Sequence, residues 1–210
     1  MAVLVSQSTS SANQLAGHFA SSLTLTWAPT AVSDGCLVVN VGNYSSIPRT
    51  VDSITWGGTN MRKGPADEGG SFRMAQYYLV SPTAGSNNLV ITWNDIVDDY
   101  VVGIILCSGV NQSAPTSSYN QNNGSSTTPS VTVTSAVNDL VIDGVYANQG
   151  TLTCGQTQIY NMYQSWDNTI GGGSSKDGAA SVVMSWTSAN TSWVIGGTSF
   201  RPSRNRLHVT

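Results

Sequence analysis

Val101-Val-Gly-Ile-Ile-Leu-Cys107 is apolar at nearly every position, the pattern of a β-strand covered on both faces. It sets the centre of the core, and the rest of the chain is read outward from it. The run is entered through Ile91-Thr-Trp93 and Tyr100-Val-Val-Gly103, and both blocks recur without gaps as Met184-Ser-Trp186 and Trp193-Val-Ile-Gly196, 93 residues later. Upstream, Leu23-Thr-Leu-Thr and Asp34-Gly-Cys-Leu-Val-Val match Val131-Thr-Val-Thr and Asp139-Leu-Val-Ile, with a shift that drifts as the loops change length. Ser108-Gly-Val-Asn-Gln-Ser-Ala-Pro115 and Ser199-Phe-Arg-Pro202 close the two copies. A spacing this long marks an internal repeat of whole supersecondary units.

Leu23-Thr-Leu-Thr-Trp27 and Val131-Thr-Val-Thr134 alternate apolar residues with hydroxyls, as a half-buried antiparallel strand does. The same period predicts strands over 3–8, 22–27, 36–42, 51–56, 72–80, 88–93, 100–108, 130–135, 139–146, 156–163, 180–186 and 193–200, bounded by Gly, Pro, Asn, Asp and Ser clusters. No window of a dozen residues carries a helical period, and the frequent Gly, Asn and β-branched residues oppose one. The segments 113–129 and 169–178, rich in Gly, Ser, Thr and Asn, read as surface loops. The expected fold is therefore all-β, a two-sheet antiparallel β-sandwich in which repeat halves at about 22–115 and 130–202 interleave as a single domain over 1–210.

Composition narrows the functional classes. Of 210 residues only 9% are charged, against about 25% in an ordinary domain. A net charge of −3 gives no electrostatic footprint for nucleic acid. No apolar run reaches the length of a membrane-spanning helix, so neither nucleic acid nor membrane is an expected partner. Met1-Ala-Val-Leu-Val-Ser-Gln-Ser lacks the basic and apolar regions of a secretory signal. Cys36, Cys107 and Cys154 show no C-x-x-C spacing and read as buried thiols, one disulfide among them remaining open.

Groups that could carry chemistry are sparse. His18 and His208 lie at opposite ends of the chain, without acidic or thiol neighbours at metal spacing. Gly171-Gly-Gly-Ser-Ser-Lys176 lacks the spacing of a phosphate loop and precedes a strand. Acidic clusters are few, Asp67-Glu68, Asp95 and Asp98-Asp99; the last reads either as turn-forming aspartates or as a calcium loop, and no pair suggests glycoside hydrolysis. No cofactor and no catalytic residue is expected. Aromatics give another reading, since exposed Trp and Tyr stack on sugar rings. Trp27, Trp93 and Trp186 end strands in phase with apolar residues and belong to the core or its rim. Trp166, with Tyr160 and Tyr163, forms the aromatic platform of a sugar-binding reading. Arg201, Arg204 and Arg206 make the C-terminus basic, with 203–210 either a solvated tail or an arm reaching an acidic partner.

Asp34-Gly-Cys-Leu-Val-Val-Asn-Val, Ser53-Ile-Thr-Trp-Gly-Gly-Thr-Asn-Met61, Tyr77 through Trp93 and Ser108-Gly-Val together resemble the jelly-roll or related β-sandwich modules of virus particles. The resemblance is to capsid decoration (cement) proteins of tailed bacteriophages, and also to sandwich modules of bacterial surface proteins. It implies a non-enzymatic virion protein, assembled in the host cytoplasm, that forms homotrimers and bridges subunits of the major capsid protein. Val3, Val5, Arg201, Arg204 and Arg206 are the contact residues this reading selects. The alternative is a carbohydrate-binding module or host-attachment adhesin on a bacterial surface or secreted, acting through Trp166, Tyr160 and Tyr163.

Overall fold

A computed structural model describes residues 2–8, 15–67, 70–164, 169–189 and 191–203. Among them the chain is all-β and its sheets are antiparallel. The first half carries β1 (Leu4–Ser8), β2 (Leu15–Trp27), β3 (Cys36–Tyr44), β4 (Val51–Trp56), β5 (Thr59–Asn60), β6 (Arg62–Asp67), β7 (Phe72–Val80) and β8 (Asn87–Ser108). The second carries β9 (Thr116–Ser126), β10 (Ser130–Thr134), β11 (Leu140–Asn148), β12 (Thr153–Cys154), β13 (Thr157–Gln164), β14 (Thr169–Asp177), β15 (Ser181–Thr187) and β16 (Thr191–Phe200).

Strands β1 to β8 form one sheet in the order β5-β4-β8-β3-β7-β6, with β1 and β2 both paired to β8. The apolar run at 101–107 is its middle, as its composition requires. The two strands expected at 88–93 and 100–108 are one 22-residue strand, irregular where Ala20 pairs with Val97 but Ser22 with Thr92. At that bend the sheet folds over a core of Leu37, Val39, Leu89, Ile91, Trp93, Val102 and Ile104. The second half divides instead into a five-stranded sheet, β13-β14-β11-β16-β9, and a three-stranded sheet, β10-β15-β12. Val133, Val141, Met184, Trp186 and Ile195 fill the space between them.

The repeat is structural, down to register. Cys36 opposes Cys107 and Leu23 opposes Ile91 in the first half; Leu140 opposes Phe200 and Val131 opposes Met184 in the second. Even the irregularities recur, since a residue is skipped between Val5 and Gln7 on β1 and between Thr116 and Ser118 on β9. Both central strands follow a left-handed residue, Asp34 before β3 and Asn138 before β11.

The halves do not interleave. Among the described residues every named ladder stays within one half, and the two copies meet face to face. Contacts are reciprocal: β3 lies on β11, β7 on β16 as β14 on β8, and β6 on β9 as β13 on β2. Equivalent strands exchanging equivalent contacts define an approximate two-fold axis along β3 and β11, as in an isologous dimer. Glycines let the faces close. A Cβ on Gly42 would sit 2.5 Å from the Tyr146 ring, one on Gly103 2.1 Å from Tyr160, and one on Gly171 2.5 Å from Val101.

That packing corrects the reading of 169–178 as a loop, for β14 is buried over its first seven residues. Its Gly-Gly-Gly run leaves room for Val101, Trp186 and Tyr160. The 113–129 segment is likewise mostly strand, β9, at the edge of its sheet.

Candidate functional site

The aromatic and basic residues singled out in the sequence do not come together. Tyr160 is buried between Gly103 and Gly173, while Tyr163 on the same strand is 52% exposed. Burial also pushes the Tyr160 hydroxyl well above the ordinary tyrosine value. Trp166 lies outside the described residues, so of the aromatic trio only Tyr163 is placed at the surface. Val3 is buried among Cys36, Cys107 and Phe200, and Val5 packs half-buried beside it. Neither side chain lies open to a partner as the N-terminal contact reading requires. Arg201 is exposed, and its Nε donates to Ser117 Oγ at 2.9 Å; Arg204 and Arg206 lie outside the described residues, as do Glu68 and His208.

Asp95, Asp98 and Asp99 lie at the irregular middle of β8. Asp95 accepts from the neighbouring Ile96 N–H at 2.8 Å and bridges to Arg49 at 2.8 Å, and Asp98 accepts from Ser46 N–H at 2.8 Å. Asp99 is buried, opposite His18 on β2 and Tyr44 on β3. No group of three or more His, Cys, Asp or Glu gathers at metal-binding distance among the described residues. The three cysteines are free thiols. Cys36 and Cys107 are cross-strand neighbours, and burial raises both, Cys107 to about 12.

One buried acid is fully engaged. Asp143 on β11 points into the second half's core, where its Oδ1 accepts from the N–H and Oγ of Ser174 at 2.7 and 2.6 Å, and its Oδ2 accepts from Trp186 Nε1 at 2.7 Å. Burial outweighs these donors and lifts its pKa to about 6. Three donors on a carboxylate enclosed by apolar strands make a structural pin.

Among the described residues one recess, of about 260 Å3, lies within the first half between Pro29–Gly35 and Ser81–Ala84, and two more lie at one end of the seam between the halves. A recess of about 470 Å3 is lined by Gly70, Ser71, Phe72, Asn123, Gly124, Ser125, Ser192 and Trp193. Phe72 also borders a second recess of about 180 Å3, with Tyr44, Asn148 and Thr169. The Tyr44 and Phe72 rings are 4.8 Å apart and Phe72 is 6.0 Å from Tyr146, so Phe72 is held between them. The Trp193 indole is fixed by its Nε1, which donates to Ser126 Oγ at 3.1 Å. Gly124 admits that ring, since a Cβ there would stand 2.9 Å from Trp193 Cζ2. Thr169 is buried, and its Oγ1 has no hydrogen-bond partner among the described residues.

Sequence reading missed this cleft because Asn123 and Thr169 fall in the two segments read as loops. One signal was present: the short polar residues Ser118, Asn120 and Asn122 keep a strand's period of two. No family model matches the chain, and no curated protein matches it in sequence.

Proposed function

We propose that the chain is a non-enzymatic structural protein of a virus particle, a capsid decoration protein acting as a homotrimer over the boundaries of capsid subunits. The same reading takes its body as β-sandwich architecture of jelly-roll style. The observation that carries it is a cluster of large apolar side chains left outside a sparsely charged surface, where Phe19, Ile47 and Ile96 are all more than half exposed. They belong to neighbouring segments: Ala20 pairs with Val97, and Ser46 N–H bonds Asp98. Exposed apolar groups gathered at one corner mark an interaction surface, and the Arg49–Asp95 ion pair gives it a polar rim. Hydroxyl and amide groups elsewhere suit a broad, wet contact repeated over many copies.

Light scattering at rising concentration reads the self-association, with a mass of three chains expected. Phe19→Ser with Ile47→Ser and Ile96→Ser is expected to leave a folded monomer, and removal of 203–210 to weaken assembly without lowering the melting temperature. A wild-type monomer at every concentration overturns the trimer. Mass spectrometry of particles purified from the organism that carries the gene reads the virion role, and absence from every particle fraction overturns it.

A further inference from the structure

We infer that the paired recesses at the end of the seam, on either side of Phe72, form a binding site for a neutral oligosaccharide. The inference stands apart from the assembly surface, which lies at the β8 bend and uses other residues. Three observations carry it. First, the larger recess, about 470 Å3, falls within the range of small-ligand sites, and the smaller continues it past a shared aromatic ring.

Second, the lining chemistry is selective. None of the described residues lining either recess is charged. Phosphate or carboxylate ligands would want Arg, Lys or a helix N-terminus, and a cation would want carboxylates. What lines the site is aromatic surface from Phe72, Trp193 and Tyr44 beside the amides of Asn123 and Asn148 and the hydroxyls of Ser125 and Ser192. An aromatic face receives the C–H face of a sugar ring, and amides and hydroxyls both donate to and accept from its hydroxyl groups. The aromatic wall is pre-formed: Trp193, only 6% exposed, is tethered to Ser126, and the half-buried Phe72 is flanked by two tyrosine rings. The half-buried rings of Phe72 and Tyr44 therefore give the accessible aromatic surface, and little ordering entropy remains to be lost on binding.

Third, Thr169 lines the smaller recess, is 1% exposed, and has an Oγ1 that nothing described satisfies. A buried hydroxyl without a partner costs on the order of 1–3 kcal/mol, and this one belongs to a residue that walls the smaller recess.

The test is calorimetric titration of the full chain with cellohexaose, maltohexaose, laminarihexaose and chitohexaose. Saturable binding of at least one is expected, weakened by about tenfold or more in Phe72→Ala. Ser125→Trp, at an exposed position on the rim, fills the larger recess without touching the core and is expected to abolish binding. It keeps the test decisive if Phe72→Ala fails to fold. Thr169→Val keeps the shape, removes the hydroxyl and is expected to weaken binding severalfold. Tyr163→Ala, on the exposed aromatic outside the cleft, is expected to bind as wild type does. Absence of saturable binding across the four sugars overturns the site. So does binding that survives both Phe72→Ala and Ser125→Trp, or that is lost in Tyr163→Ala alone.

Discussion

Asp143 and its first-half counterpart show how one residue separates two copies of a unit. The registers that equate Trp186 with Trp93 also equate Asp143 with Val39. In the second half the indole N–H donates to the carboxylate; in the first, Trp93 Nε1 has no hydrogen-bond partner among the described residues and its ring packs 5.3 Å from Tyr100. The acid carries a pH dependence with it. Its folded pKa of about 6 lies above the ordinary carboxyl value near 4, so folding favours the protonated form. The stability it contributes is fully present below about pH 4 and is lost as pH rises through about 6, amounting to roughly 3 kcal/mol. Asp143→Asn cannot ionise, and its amide faces one of three donors. Urea unfolding at pH 4, 5.5 and 7.5 is therefore expected to show a less stable variant whose deficit shrinks toward pH 7.5. Parallel profiles would mean that folding leaves the Asp143 pKa unshifted.

At the scale of elements, β9 shows what a strand edge can be made of. Asn120 Nδ2 donates to Thr132 O at 2.9 Å while its Oδ1 accepts from Gln121 N–H at 2.9 Å; Asn122 repeats the arrangement with Ser130 O and Asn123 N–H at 2.9 and 3.0 Å. Ser118 Oγ adds a bond to Thr134 O at 2.5 Å. These side chains stand in for a backbone ladder between the edges of β9 and β10, joining two sheets that share no paired strand. They also leave fewer free N–H and C=O groups to template another chain. Replacing Asn120 and Asn122 together by Ala is expected to cost about 2 kcal/mol, near 1 for each bridging amide, and to raise aggregation on heating. Gln121→Ala, at an exposed side chain between them, is expected to stay within about 0.5 kcal/mol. Equal losses in the two variants would remove the ladder's role.

The composition of β9 and β14 explains why both have the local signature of loops. Gly, Ser and Asn are turn formers by local preference, and local preference is all a window of sequence expresses. In β14 the glycines answer to Val101, Tyr160 and Trp186, which reach them from other strands. In β9 the asparagines answer to carbonyls of β10. Tertiary neighbours overrode propensity in both, and the cleft residues Asn123 and Thr169 were hidden with them.

The whole molecule is a dimer-like pair joined in one chain, with its interface made unequal. Gly42 and Tyr146 are equivalent by register, and they meet each other across the axis. Asn40 and Gly144 do the same: Asn40 Nδ2 donates to Asp143 O at 3.0 Å, and Gln76 Nε2 donates to Asn40 Oδ1 at 2.8 Å. Two tyrosines on the axis would collide, and two glycines would leave a void; one of each fills it. Gly42→Tyr alone is expected to destabilise by about 3 kcal/mol through overpacking, and Tyr146→Gly by about 3–5 kcal/mol through the cavity it leaves. Combined, they exchange knob and hole, and a double-mutant cycle is expected to show a favourable coupling of about 1–3 kcal/mol. Simple additivity would place the two residues outside a shared contact.

Periodicity alone determined that this chain is all-β, that Val101 to Cys107 is its central strand, and that the pattern occurs twice. Those features rest on a residue's own chemistry and its spacing from near neighbours, both written along the chain. Only the tertiary structure decided that the halves pack as partners and do not interleave, that β9 and β14 are strands, and that Phe72 and Trp193 border one cleft. Each of those depends on residues dozens of positions apart meeting across a sheet face, where the fit of a ring over a glycine or an amide under a carbonyl outweighs local preference.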